Sequence, residues 1–165
     1  MIAMTALAAA LSGCATANPA PPLHAANLRG FHSGSCNFVS DDEVSAVAGA
    51  ARFTKTVDSD VGCFWQENST IGGFGEGMGI STWWYRGSDM DTERELERKA
   101  GRRLTNLSLN GNSGFEASDA NACSVYVAKG GDMITWSVQT LNPSRLPDLC
   151  SLIRRLAQLT QDRVN

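Results

Sequence analysis

The stretch CSVYVAKGGDMITWSVQTL, residues 123–141, decides the fold of this chain. Apolar and polar side chains alternate on both sides of the pair Gly130-Gly131, which is the period of half-buried β-strands. Two glycines between alternating segments are typical of a tight hairpin turn. The stretch therefore predicts an antiparallel hairpin. Its inward side chains are Cys123, Val125, Val127, Ile134, Trp136 and Val138.

Three more segments predict strands of the same sheet: residues 62–67 (GCFWQE), 80–86 (ISTWWYR) and 104–109 (LTNLSL). Because alternate side chains of a strand point to opposite faces, Trp83 and Trp84 cannot both enter one core. We therefore expect one face of the sheet to be exposed or only half covered. Together with the hairpin, these segments predict a single antiparallel sheet of about five strands.

Three helices are predicted against this sheet. Residues 40–43, SDDE, form a capping box that opens a short helix. Residues 91–104 are acidic first and basic last, with a thin apolar stripe, so we expect a surface helix. The closing helix has a strong apolar stripe, made of Leu149, Leu152, Ile153, Leu156 and Leu159. The expected fold is α+β, with one sheet packed against helices.

An apolar run from Met1 ends in Leu11-Ser12-Gly13-Cys14, which resembles the lipobox of bacterial lipoproteins. The run is shorter than the roughly 20 residues that span a bilayer, and it suits the core of a signal peptide. The resemblance implies cleavage before Cys14 and a diacylglycerol on its sulfur. It would thus anchor the chain to the outer face of the cell membrane. No Lys or Arg precedes the run, so we expect a basic stretch upstream of Met1.

The domain boundaries follow from this reading. We expect a signal peptide at residues 1–13, the lipidated cysteine with a flexible tether at 14–35, and a single domain at 36–165. The chain has 14 basic and 17 acidic residues, a net charge of −3. Nucleic-acid binders show a basic footprint, so we expect no nucleic-acid partner.

Five cysteines are present, and lipidation of Cys14 leaves four. An even number of cysteines in a domain outside the membrane indicates two disulfides, which stay oxidised there. Four cysteines allow three pairings. We favour Cys36–Cys63 and Cys123–Cys150, since each joins neighbouring elements. A thiolate metal site is disfavoured because the chain has no Cys-x-x-Cys pair.

The order of these features resembles a family of actinobacterial, mycobacterial-type envelope lipoproteins that carry the domain of unknown function DUF3558. The Gly-Cys-x-Trp motif of that family is matched by Gly62, Cys63 and Trp65, and the stretch after its first cysteine is matched loosely by residues 36–39. The likeness covers about residues 36–160. It implies a mycobacterial or related origin, and it implies no activity.

Catalytic residues are not apparent. The two histidines, His24 and His32, both fall in the predicted tether, away from any serine or cysteine nucleophile in the domain. The acidic residues of the loops show no spacing that singles out a catalytic pair. We expect no catalytic residue, no metal and no cofactor, and a hydrolytic enzyme is the least favoured class.

Two non-catalytic functions remain. The first is a binding or accessory module for an envelope protein or glycan, with Trp83, Tyr85 and Tyr126 as the candidate contact surface. The second is a carrier of a lipid or other apolar ligand, which would need a large apolar cavity. A filled core with an exposed aromatic face would favour the binding module, and a deep cavity would favour the carrier.

Overall fold

A seven-stranded antiparallel sheet organises the computed structural model, which describes residues 35–49, 53–68, 77–142 and 148–164. The leader, Cys14, His24, His32 and the tether up to residue 34 lie outside the described residues. The strands are β1 Phe53–Ser59, β2 Gly62–Glu67, β3 Gly79–Tyr85, β4 Arg103–Leu109, β5 Asn112–Ser118, β6 Ala122–Lys129 and β7 Asp132–Gln139. The helices are α1 Asp41–Val47, α2 Met90–Lys99 and α3 Leu149–Arg163, and a short helical turn, Ser35–Phe38, precedes α1.

The sheet order is β1-β2-β3-β7-β6-β5-β4, so the predicted hairpin is confirmed as β6–β7, with β7 in the middle position. Helix α3 packs on β6 and β7, and α1 lies beside β1 on the same face. Helix α2 lies on the opposite face, against β4 and β5. The α+β class is therefore confirmed. Within the described residues, no helix combines the length and the apolar character needed to cross a bilayer.

The expected strand number was wrong, because the sheet has seven strands and not about five. Strand β1 is an edge strand whose side chains are mostly exposed, so it lacks the apolar alternation that marks a buried strand. Strand β5 contains Gly114, where a Cβ atom would lie 2.2 Å from the carbonyl oxygen of Tyr126. A glycine weakens the strand pattern in sequence, yet here it allows close backbone approach.

The surface helix also ends earlier than expected. Helix α2 stops at Lys99, and residues 103–104 already belong to β4. Gly101 has a φ of +78°, and the amide of Arg102 donates to the carbonyl of Glu97 at 3.2 Å. This arrangement is a Schellman motif, which turns the chain out of the helix. No residue of α2 is buried, which confirms its surface position.

The core lies between the sheet and α3. Trp65 and Trp136 are fully buried, and their rings stack with centroids 5.8 Å apart. The third core tryptophan, Trp84, is 4% exposed. All six inward residues predicted for the hairpin are buried, and α3 covers them with Leu152, Ile153 and Leu156.

Two disulfides join the helical elements to the sheet. Cys36–Cys63 connects the turn before α1 to β2, and Cys123–Cys150 connects β6 to α3. Each closes a loop with a sequence separation of 27 residues. In the chain-entropy model such a loop contributes roughly 3.6 kcal/mol to the free energy of unfolding.

The turn before α1 has an unusual backbone. Cys36, Asn37 and Phe38 have φ angles of 55°, 52° and 63°, a left-handed conformation that costs roughly 1–2 kcal/mol per residue. A buried hydrogen-bond network compensates for this cost. Asn37 Nδ2 donates to Thr82 Oγ1 at 2.6 Å, and the Asn37 carbonyl accepts from Thr160 Oγ1 at 3.0 Å.

Helix α1 is held at its N-terminal turn by polar contacts. Ser40 and Glu43 form the predicted capping box, and Arg163 of α3 pairs with the same Glu43 carboxylate. Hydrogen bonds from the Arg163 guanidinium and the Ser40 amide hold the pKa of Glu43 down at about 2. Glu43 therefore stays ionised at neutral pH and links α1 to α3.

The hydroxyl of Thr160 provides a test of the network. It also accepts from Trp136 Nε1 at 2.9 Å, so Thr160→Val would leave two buried polar groups without partners. We expect a loss of about 2–4 kcal/mol in the free energy of unfolding, measured by urea denaturation. Thr160→Ser keeps the hydroxyl and should cost only about 1 kcal/mol. Equal stability of the two variants would contradict the network.

Candidate functional site

One part of the sheet has no helix over it among the described residues. Helix α2 covers β4 and β5, while the same face of β2, β3 and β7 is left open. Five side chains define this open face: Phe64, Ser81, Trp83, Tyr85 and Ser137. These five side chains are half-buried or exposed, whereas Thr135 and Met133, which share the face on β7, are buried. On the opposite face of these strands the central side chains are all buried.

The predicted contact residues Trp83, Tyr85 and Tyr126 do share this face of the sheet. Trp83 is half-buried and lies against Gly62, where a Cβ atom would be 2.4 Å from its ring. Tyr85 is 40% exposed. The structure therefore brings Trp83 and Tyr85 together on the open face.

Tyr126 is engaged beneath α2 instead. Its ring stacks on Phe115 with centroids 4.5 Å apart, and its hydroxyl donates to Glu97. The guanidinium of Arg94, in α2, lies over the Phe115 ring, 4.5 Å from the ring centroid. Tyr126 thus fixes α2 on the sheet and does not belong to the open face.

The pKa is raised for both tyrosines, and it is raised more for Tyr126 than for Tyr85. Burial, followed by the charges of Glu93 and Glu97, raises the pKa of Tyr85. Burial and the hydrogen bond to Glu97 raise the pKa of Tyr126 well above its ordinary value. Both side chains are therefore neutral donors at physiological pH.

A small cavity lies at one end of the open face. Strand pairing aligns Phe64, Ser81, Ser137 and Ser124 in one row across β2, β3, β7 and β6. The row borders a cavity of about 180 Å³. Its lining consists of Phe64, Gly79, Ser81, Arg102, Ala122, Ser124, Ser137, Val138 and Gln139.

Arg102 closes the cavity because of the Schellman motif after α2. The chain reversal at Gly101 returns Arg102 towards the helix, where its Nη1 lies 3.0 Å from Glu97. Nη1 also donates to Ser124 Oγ at 3.0 Å, and Nε lies 3.3 Å from Asp119. The side chain is only 12% exposed, and Nη2 is buried with no hydrogen-bond partner within the described residues.

This arrangement can bind polar groups, but it does not assemble a nucleophile with a base. Ser137 Oγ donates to Ser124 Oγ at 2.9 Å, and the charged neighbour of Ser124 is the guanidinium of Arg102, which is a hydrogen-bond donor and not an acceptor. In the described part of the chain no carboxylate or imidazole contacts these hydroxyls. The site therefore offers hydrogen-bond donors and acceptors without an activated hydroxyl.

Two cysteine clusters resemble metal sites in spacing only. Asp58 lies near Cys36 and Cys63, and Glu116 lies near Cys123 and Cys150. In each cluster the two sulfurs are bonded to one another, so neither offers the thiolates that a soft metal ion requires.

The serine row and the burial of Arg102 were not predicted from the sequence. A signal was present, since Ser81 and Ser137 occupy polar positions of alternating strands. Their alignment depends on the pairing of β3 with β7, which are far apart in sequence. Arg102 falls within the predicted surface helix at residues 91–104, and nothing in the local sequence indicates its burial.

Comparison with known proteins identifies related sequences. The family described as "Protein of unknown function (DUF3558)" matches residues 9–163. Proteins named "Putative lipoprotein LprB" are similar to this chain. That of Mycobacterium tuberculosis H37Rv is 29% identical over 171 residues, which cover 94% of this chain and 89% of the relative. That of Mycobacterium leprae is 29% identical over 141 residues, 80% and 72% of the two chains. No solved structure matches the chain.

An alkaline titration distinguishes the two tyrosines, which are the only ones in the sequence. In the folded protein we expect the phenolate absorbance of Tyr85 to rise first, above pH 10.0, while Tyr126 stays protonated. The pKa of Tyr126 is higher in the folded than in the unfolded chain. Its contribution to the free energy of unfolding is therefore fully present below about pH 10 and is lost as the pH rises further.

The matched variants decide this assignment. Tyr126→Phe should leave the first titration step in place, and Tyr85→Phe should remove it. If both tyrosines ionised together in the folded protein, the contact between Tyr126 and Glu97 would be contradicted.

Proposed function

The chain belongs to the DUF3558 family of mycobacterial-type lipoproteins, and from this premise we propose that it is a lipid-anchored binding module of the cell envelope. The module would be non-catalytic and would face away from the cytoplasm. Its open face would contact an envelope protein or glycan.

The membrane anchor in this proposal is Cys14. The lipobox at residues 11–14 and the lipoprotein names of the relatives both support it. Two acyl chains hold a protein on a bilayer far more firmly than one chain does. Two disulfides also suit an exported domain, because thiols oxidise outside the cytoplasm.

The observation that carries the binding role is the unequal covering of the two sheet faces. The α3 face is fully packed, whereas Trp83 and Tyr85 remain accessible on the other face. Aromatic side chains that sit rigidly on a sheet are efficient contact residues, because they bury a large area at little entropic cost.

The carrier alternative receives less support. A carrier needs a deep apolar cavity, whereas stacked Trp65 and Trp136 occupy the centre of the described core. The cavity on the open face is small, and it is lined by serine hydroxyls and a guanidinium. These properties favour contact with a polar partner.

Removal of the sulfur at residue 14 tests the anchor. In the source organism, we expect the wild-type protein in the membrane fraction with the added mass of a diacylglycerol. The variant Cys14→Ser should lose both this mass and most of its membrane association. Ser108→Ala, an exposed substitution on β4, should behave as the wild type. A Cys14→Ser protein that stays in the membrane fraction would contradict the anchor.

Photo-crosslinking in intact cells tests the open face. We expect the full chain with benzoylphenylalanine at Tyr85 to form an adduct of higher mass. The same replacement at Ser151, exposed on α3, should form none. Adducts at both positions, or at neither, would contradict a partner on the open face. Treatment of the Tyr85 adduct with protease or glycosidase then separates a protein partner from a glycan.

A further inference from the structure

The serine row and Arg102 form a site with unused hydrogen-bonding groups. Among the described residues, the Ser81 hydroxyl and the Gln139 amide have no hydrogen-bond partner, although both line the cavity. Arg102 Nη2 is buried and likewise has no partner there. A buried donor without an acceptor is costly, so a ligand oxygen placed against Arg102 would be stabilised.

The charge of the cavity wall selects between ligands. Arg102 already has two carboxylates beside it, since Glu97 lies at 3.0 Å and Asp119 at 3.3 Å. One positive and two negative charges give this group a net charge of −1, which opposes an anionic ligand. The available groups therefore favour neutral hydroxyls over a carboxylate or a phosphate.

An aromatic ring forms the opposite wall. The Phe64 ring lies over Gly79, where an added Cβ would be 3.0 Å from Phe64 Cζ. Phe64 is half-buried, so part of its ring is accessible from the cavity. A sugar ring has carbon-bound hydrogens on its faces and hydroxyls at its rim, which match an aromatic wall beside polar groups.

The size of the cavity limits the ligand. Its volume of about 180 Å³ is below the roughly 300 Å³ at which pockets for drug-sized molecules begin. One sugar residue is therefore the appropriate unit. Among the lining residues, Phe64 and Ser81 are half-buried and Gln139 is exposed, so the cavity is open to solvent and the bound sugar can be part of a longer glycan.

We infer that this cavity binds one neutral sugar residue of a glycan, with its ring on Phe64 and its hydroxyls on Ser81, Ser137, Gln139 and Arg102. This inference rests on the proposed binding function of the open face and specifies its ligand class.

Saturation-transfer NMR on the full-length protein tests the inference, in a detergent that contains no sugar. The probes are glucose, galactose, mannose and N-acetylglucosamine, together with glucuronate and galacturonate. Glucose and glucuronate differ only in the carboxylate, so they compare charge on an otherwise identical ring. We expect saturable binding of at least one neutral sugar and weaker binding of its uronate.

Two serine variants locate the binding. Ser81→Ala removes a hydroxyl that has no internal partner, so the fold should be unaffected and the affinity should fall about tenfold. Ser108→Ala, an exposed serine outside the cavity, should leave the affinity unchanged. Binding that is insensitive to Ser81→Ala would place the sugar elsewhere and overturn the inference.

Other outcomes separate this inference from the function on which it rests. Tighter binding of the uronates, or no binding of any neutral sugar, would overturn the neutral-sugar assignment. If the Tyr85 crosslink nevertheless formed and was removed by protease, the binding function would stand with a protein partner. If that crosslink also failed, both proposals would fall.

Discussion

The left-handed turn at Cys36, Asn37 and Phe38 is the constraint on which the rest of the domain depends. Its backbone is unfavourable for residues other than glycine, so it persists only because its surroundings fix it. The contacts that fix it come from three elements: the disulfide to β2, the Thr82 hydroxyl of β3 and the Thr160 hydroxyl of α3. Through Thr160 the turn also reaches the indole of Trp136 in β7. Because all of these hydrogen bonds must form at the same time, they fix the position of α3 on the sheet.

This arrangement explains why one face of the sheet carries less of the packing than the other. The disulfides, the stacked tryptophans and the apolar side of α3 all lie on the same face, so this face provides the apolar packing that holds α1 and α3 on the sheet. Within the part of the chain that the structure describes, the other face receives only α2, which contacts it through polar side chains and has no buried residue. Residues on the uncovered strands β2, β3 and β7 can therefore serve a ligand without weakening the core.

The link between α2 and the cavity is electrostatic. Glu97 accepts from Tyr126 and pairs with Arg102, and Arg102 in turn holds Ser124 at the end of the serine row. Arg102 is thereby fixed in position before any ligand arrives, which lowers the entropic cost of binding. Glu97 and Asp119, the two carboxylates beside Arg102, offset its positive charge. The site combines a rigid donor with little attraction for anions, and this combination distinguishes a sugar site from a phosphate site.

The sequence by itself determined the strand faces of the hairpin, the capping box, the apolar stripe of α3 and the membership of the family, because each is a pattern of neighbouring residues. It did not reveal β1 or β5, since an exposed edge strand and a strand with a glycine at a close backbone contact lack apolar alternation. It also predicted Tyr126 as a contact residue and included Arg102 in a surface helix. Only the tertiary structure decided these points and aligned Ser81 with Ser137 and Ser124. Register and burial arise from contacts between residues far apart in the chain, and local periodicity carries no information about them.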